Sequence, residues 1–231
     1  MRTGQDIRTD AGSSWFFDAG RIALDFAHTG GFTDDPDRRR PRGHLGELLA
    51  TPADLDEWLG LHTEPIDVGA TARELQDARA LRAAIARLAV AAAPAAAGSA
   101  GERTAVAAGL RAGTGRTRPV PDDIDTVNLF AALPDVPPSL PGGRRRAGAN
   151  RVRLAQALSS VARDAVALLT EVGFDDLEAE GRSARLSRCS APDCGLVFYD
   201  SSRGGTRRWC SMQRCGNRAK VRAHRARRAG V

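Results

Sequence analysis

Apolar residues at helical spacing across residues 51–172, four cysteines in two short-spaced pairs and a run of arginines beyond them predict a mainly α N-terminal domain followed by a small zinc-stabilised module with a C-terminal basic helix. A chain of 231 residues is long enough for one full domain and such a module. Apolar residues make up 42% of it, but the aromatics are only 7 Phe, 3 Trp and 1 Tyr. The core must therefore be mostly Leu, Ala, Val and Ile, which suits packed helices.

Residues 1–14 read as a disordered lead. Trp15, Phe16 and Phe17, then Gly20, suggest a short strand or turn that buries aromatics. Residues 21–29 are apolar at Ile22, Leu24, Phe26 and Ala27, a pattern open to helix or strand. A charged loop is expected at 33–43. Thr51-Pro52-Ala53-Asp54 has the form of a helix start, with a Thr cap, Pro in the first position and an acid in the first turn. Residues 70–93 carry a helical stripe of Leu75, Ala78, Leu81, Ile85, Leu88 and Ala92. A small-residue linker is expected at 94–101, a short helix at 102–111, a loop at 114–121 and another short helix at 121–133. Four prolines and three glycines make 134–148 a loop. The clearest helix is 150–172, with a stripe of Leu154, Leu158, Val161, Ala165, Leu168 and Val172; Asn150 can cap it and Gly173 can end it. The helical domain is expected to span 15–180 and to fold alone, with the metal module at 185–231.

Charge is divided unevenly. Residues 182–231 hold 13 Lys plus Arg against Asp193 and Asp200, a net +11, while the remaining 21 bases and 26 acids give −5. Only Lys220 is a lysine, so arginine abundance is weak evidence of recognition and its clustering is better evidence. The apolar run at 88–97 is broken by Pro94 and falls short of the ~20 residues a membrane span needs. Residues 1–10 are polar and lack the apolar stretch of a secretory signal. A cytoplasmic location is expected, where stable disulfides are not.

Cys189, Cys194, Cys210 and Cys215 are the only cysteines, spaced C-x4-C-x15-C-x4-C. Two such pairs can bring four thiolates to the corners of a tetrahedron, the geometry Zn²⁺ favours. The alternatives are two disulfides, which the compartment disfavours, and four unrelated buried cysteines, which the paired spacing disfavours. Four protein ligands leave no open position, so one structural zinc is expected and not a catalytic one. Gly195 and Gly216 each follow the second cysteine of a pair and suit a left-handed turn that aims N–H groups at sulfur. Arg188, Arg207, Arg208, Arg214 and Arg218 flank the cluster and would offset its negative charge. Leu196, Phe198, Trp209, Met212 and Val221 are the module's few bulky residues, so metal should supply much of its folding free energy. His224, the nearest histidine, reads as solvated or phosphate-facing.

Residues 216–228 contain no proline and no acid. Arg218, Arg222 and Arg225 fall at i, i+4 and i+7, on one helical face. Like charges so placed repel unless a polyanion neutralises them and releases counterions. Arg207, Arg208, Arg218, Lys220, Arg222 and Arg225 are the candidate nucleic-acid contacts; a solvated basic tail is the alternative.

Arg207-Arg208-Trp209-Cys210-Ser211-Met212, then Cys215-Gly216-Asn217-Arg218 with Lys220, preceded by Phe198-Tyr199-Asp200-Ser201, resembles the CGNR zinc finger. The tetrapeptide alone is weak, but its coincidence with both cysteine pairs is specific. Such fingers usually follow an ABATE domain, whose hallmark Leu-Asp-Phe-x-Asn-Thr resembles Leu24-Asp25-Phe26-Ala27-His28-Thr29, with His28 where Asn is usual. The two resemblances cover nearly the whole chain. They imply zinc, DNA binding and an inferred role in transcription regulation, with no firm ligand for the N-terminal domain. Asp25, His28 and Thr29 admit two readings: groups bonded to backbone near a helix end, which is preferred, or the lining of a small-molecule pocket.

The leading expectation is a transcriptional regulator. Its zinc module would bind nucleic acid, duplex DNA first, and its N-terminal domain would sense a ligand or form a homodimer. A zinc-supported adaptor on an acidic protein surface is the alternative from another class. An enzyme is the weakest fit: the N-terminal domain has no nucleophile elbow, P-loop, H-E-x-x-H or G-x-G-x-x-G, and His28, His44 and His62 lie far apart. No residue is assigned a catalytic role.

Overall fold

The computed structural model describes residues 1–9, 12–30, 46–93, 121–138, 151–173, 185–191 and 194–228. The loop expected at 33–43, the linker at 94–101, the short helix at 102–111, and most of the loops at 114–121 and 134–148 lie outside these residues.

The chain opens on a hairpin. β1 (Gln5–Arg8) pairs antiparallel with β2 (Ser14–Phe17), placing Ile7 opposite Trp15. Alternation along the strands turns Gln5, Ile7, Trp15 and Phe17 into the core and leaves Phe16 exposed. Residues 5–8 thus correct the expected disordered lead at 1–14. Ile7 is fully buried, and the Gln5 side chain donates to the Asp25 carbonyl at 2.5 Å while accepting from the Trp58 indole at 2.7 Å. These long-range partners, together with the burial of Ile7, hold β1 in place.

α1 (Ile22–Ala27) is buried throughout, so the apolar centre of 21–29 is helix and not strand. α2 (Pro52–His62) starts at the expected cap, where Thr51 and Asp54 exchange side-chain-to-backbone bonds. α3 (Ala72–Ala92) uses the same device with Thr71 and Glu74. α4 (Pro121–Ala131) and α5 (Leu154–Val172) complete the domain. Every member of the stripes on α3 and α5 is buried. α5 starts where Arg153 N–H donates to Gln156 Oε1 at 3.0 Å, and ends at Gly173, whose φ of +64° suits glycine. Arg87 clamps α3 to α4 through a bidentate pair on Asp123 at 2.9 and 2.6 Å. Asp164 of α5 accepts from Arg21 Nε and Ala23 N–H, which secures α1.

β3 (Leu186–Arg188) pairs antiparallel with β4 (Val197–Tyr199). One π-helical turn (Met212–Gly216) runs directly into α6 (Asn217–Arg228). Leu186, Leu196, Val197 and Phe198 belong to the same buried cluster as Phe17, Ile22 and Phe26. The zinc module therefore shares the domain's core, and Met212 and Val221, expected inside the module, are half exposed. No described helix is long and apolar enough to cross a membrane.

Candidate metal centre and nucleic-acid interface

β3 delivers Cys189 immediately past its end, the segment before β4 delivers Cys194, and the π turn and its approach carry Cys215 and Cys210. Cys189 N–H donates to the Leu196 carbonyl at 2.9 Å, which closes the first pair across β3 and β4. The four Sγ atoms lie within 4.8 Å of one another. Cys194 and Cys210 sulfurs are 3.7 Å apart, and those of Cys210 and Cys215 are 3.4 Å apart. A disulfide would need about 2.05 Å. A tetrahedron with Zn–S bonds of about 2.3 Å has edges of about 3.8 Å, so the four thiols fit one Zn²⁺.

Without a cation these thiols conflict. The Cys189 sulfur and burial push the Cys194 and Cys210 thiols up, whereas contacts from Cys189, its fellow thiols and Arg218 push Cys215 down. A dication stabilises four thiolates together and removes the conflict. With Cys189, Cys210 and Cys215 buried, the four cysteines form a closed, structural zinc-binding site.

Neither Gly195 nor Gly216 takes the left-handed conformation expected of it. At Gly216 a Cβ would lie 2.7 Å from Sδ of the half-exposed Met212, whose flexible end would have to shift, and the Gly216 N–H donates to the Ser211 carbonyl. The amide aimed at sulfur is that of Cys210, 3.3 Å from Cys189 Sγ.

The flanking arginines divide by role. Arg207 turns inward: Nη2 donates to the Asp18 carbonyl at 2.9 Å and the Cys210 carbonyl at 2.7 Å, and Nε to the Trp209 carbonyl at 3.2 Å. Its guanidinium also lies 4.3 Å from the Phe198 ring centre. These bonds remove Arg207 from the expected nucleic-acid contacts. Arg188 donates to the Val90 carbonyl, and Arg214 covers the Trp15 ring at 3.7 Å. Arg218, half-buried, donates to Cys215 Sγ at 3.5 Å. Arg208, Lys220, Arg222 and Arg225 are exposed, as are Arg227 and Arg228 beyond the expected set. No residue of α6 is buried.

Asp25, His28 and Thr29 are each 0% exposed. Asp25 accepts from Gly4 N–H at 2.7 Å and Ala19 N–H at 2.9 Å, tying α1 to the hairpin. His28 Nε2 lies 2.8 Å from the Val197 carbonyl; a carbonyl only accepts, so Nε2 carries the hydrogen. Thr29 Oγ1 donates to the Phe26 carbonyl at 2.8 Å. Groups with no accessible surface line no space that even water can enter. The three are framework, which corrects the ligand-pocket alternative. Burial raises the Asp25 carboxyl to about 7 and lowers His28 to about 4.

Two family models match the chain. Residues 20–172 match ABATE, described as a putative stress-induced transcription regulator, and residues 185–228 match the CGNR zinc finger. No curated protein matches it.

Proposed function

The chain belongs to the ABATE family and carries a CGNR zinc finger, and on that premise we propose that it is a transcription regulator that binds duplex DNA by laying α6 in the major groove. The distribution of charge around α6 supports this. At about 100° per residue, Arg218, Arg222 and Arg225 share one side, while Lys220 and Arg227 lie opposite. Ala219, Ala223 and Ala226 form a neutral strip between the two. A helix about 10–12 Å across fits a groove about 12 Å wide whose two walls are rows of phosphate. Bases on opposite sides suit two walls; a flat acidic protein surface would engage one. Arg208, exposed on the approach to Cys210, adds a further phosphate contact. In this role the protein acts by binding and carries out no reaction.

Titration with random-sequence duplex DNA at rising salt tests the proposal. Log K should fall linearly with log salt, by about 0.9 per phosphate neutralised. Replacing Arg222 and Arg225 with Ala should flatten the slope by about two on all sequences alike. Zinc-loaded protein whose binding vanishes near physiological salt would favour the adaptor on an acidic protein surface.

A further inference from the structure

The hairpin of β1 and β2 precedes the span matched by the ABATE model, and zinc binding alone leaves it without a task. Its contacts supply one. Arg214 lies directly before Cys215 in the π turn, and its guanidinium sits 3.7 Å from the centre of the Trp15 ring, well within cation–π range. The Trp15 indole N–H is buried and has no hydrogen-bond partner among the described residues, so what Trp15 offers the turn is its face. Just past β2, the Asp18 carbonyl accepts from Arg207, which also bonds the carbonyl of the ligand Cys210. The Ala19 carbonyl accepts from Tyr199 N–H at 2.8 Å. Gly20, at φ +82°, lets the chains approach there: a Cβ would lie 2.4 Å from the Tyr199 carbonyl oxygen. The hairpin and the three residues after it thus grip β4, the approach to Cys210 and the turn that holds Cys215.

We propose that the hairpin is a bracket for the DNA-binding element, in which Trp15, acting through Arg214, fixes the direction in which α6 leaves the zinc centre. The π turn passes into α6 with no residue between them, so what holds the turn holds the helix. Burial gives α6 no anchor of its own, so the turn at its base is a main hold on its direction. Zinc secures the turn through Cys210 and Cys215. One attachment would let the helix pivot about the metal; the Trp15 stack on the neighbouring residue is a second. Arg207 and Arg214 are then positioning residues, and the exposed bases of α6 make the contacts. The consequence for DNA rests on the function proposed above; the fixing of α6 does not.

Two substitutions in the full, zinc-loaded chain separate the cases. Trp15 is buried and cannot touch DNA, so its variants act only through the bracket. Trp15→Phe keeps an aromatic face, and Trp15→Leu fills the site without one. Backbone ¹⁵N relaxation should show α6 tumbling with α5 in the wild type and in Trp15→Phe. In Trp15→Leu the α6 amides should lose order while zinc content and helix content persist. Duplex DNA affinity should fall about ten-fold in Trp15→Leu, with the salt slope unchanged, because the same phosphates are met by a less pre-organised helix. Arg214→Gln leaves the hairpin intact and should free α6 in the same way, which decides the matter if Trp15→Leu does not fold. Relaxation of α6 unchanged in these variants, or Trp15→Phe behaving like Trp15→Leu, overturns the bracket. If the wild type binds no DNA, the relaxation result still stands, and only the DNA-binding role falls.

Discussion

His28 is fully buried just past α1, and its ring N–H reaches across to the Val197 carbonyl of the zinc module. Its interior site keeps the ring neutral down to about pH 4, against 6.5 for a free ring. A base with a depressed folded value contributes stability that is complete above pH 6.5 and is lost as pH falls toward 4. The full loss is on the order of 3 kcal/mol. Asp25, raised from 3.8 to about 7, has the opposite sign: its contribution is complete below pH 4 and is lost as pH rises to 7. The two windows overlap, so each flattens the other. Urea unfolding of wild type and His28→Gln should show the wild type's advantage shrinking between pH 7 and 4.5; taking the difference cancels the release of zinc in acid that both share. Arg207 gives a second test at this scale. Arg207→Ala leaves three carbonyl bonds unmade and should cost about 1–3 kcal/mol in thermal unfolding, whereas Arg208→Ala should weaken DNA binding and leave stability unchanged. The four cysteines were legible in the sequence because spacing alone delivers them. The inward turn of Arg207 was not, because its partner Asp18 lies 189 positions away.

At the scale of elements, legibility followed local signals. α2 announces itself through a Thr cap with an acid three residues on, and α3 and α5 through their apolar stripes. β1 has no such signal: a four-residue strand with Asp6 and Arg8 facing outward is held by Asp25, Trp58 and the opposing Trp15. α6 was legible as a helix, but its attachment was not, because Trp15 and Arg214 are nearly the whole chain apart. Deleting residues 1–13 would strip the pairing partner of β2 and the Gly4 bond to Asp25. The truncated protein should melt lower and surrender zinc faster to a chromophoric chelator. An unchanged rate of zinc loss would separate the hairpin from the metal centre.

Taken as a whole molecule, the domain and the zinc module are joined by a single core, which alters what metal removal should do. A helical domain with its own stripes would be indifferent to the fate of the finger, and the sequence suggested that independence. The structure places Leu196, Val197 and Phe198 of the module in the cluster that holds Phe17, Ile22 and Phe26. Fully burying each such side chain stabilises by about 1.5–3 kcal/mol. Losing even half of the three, about 3 kcal/mol, lowers the midpoint by about 6–12 °C for a protein of this size, at 2–4 °C per kcal/mol. Chelation should therefore shift the helical transition itself, not merely remove a small separate one. Differential scanning calorimetry, with far-ultraviolet circular dichroism following the helices, should show one transition with zinc and a lower, broader one after chelation. Cys215→Ser should mimic the chelated protein, since it removes one ligand and leaves every helix of the N-terminal domain untouched in sequence. A helical transition at the same temperature with and without metal would mean that the shared core is contact without coupling, and that the N-terminal domain stands alone after all.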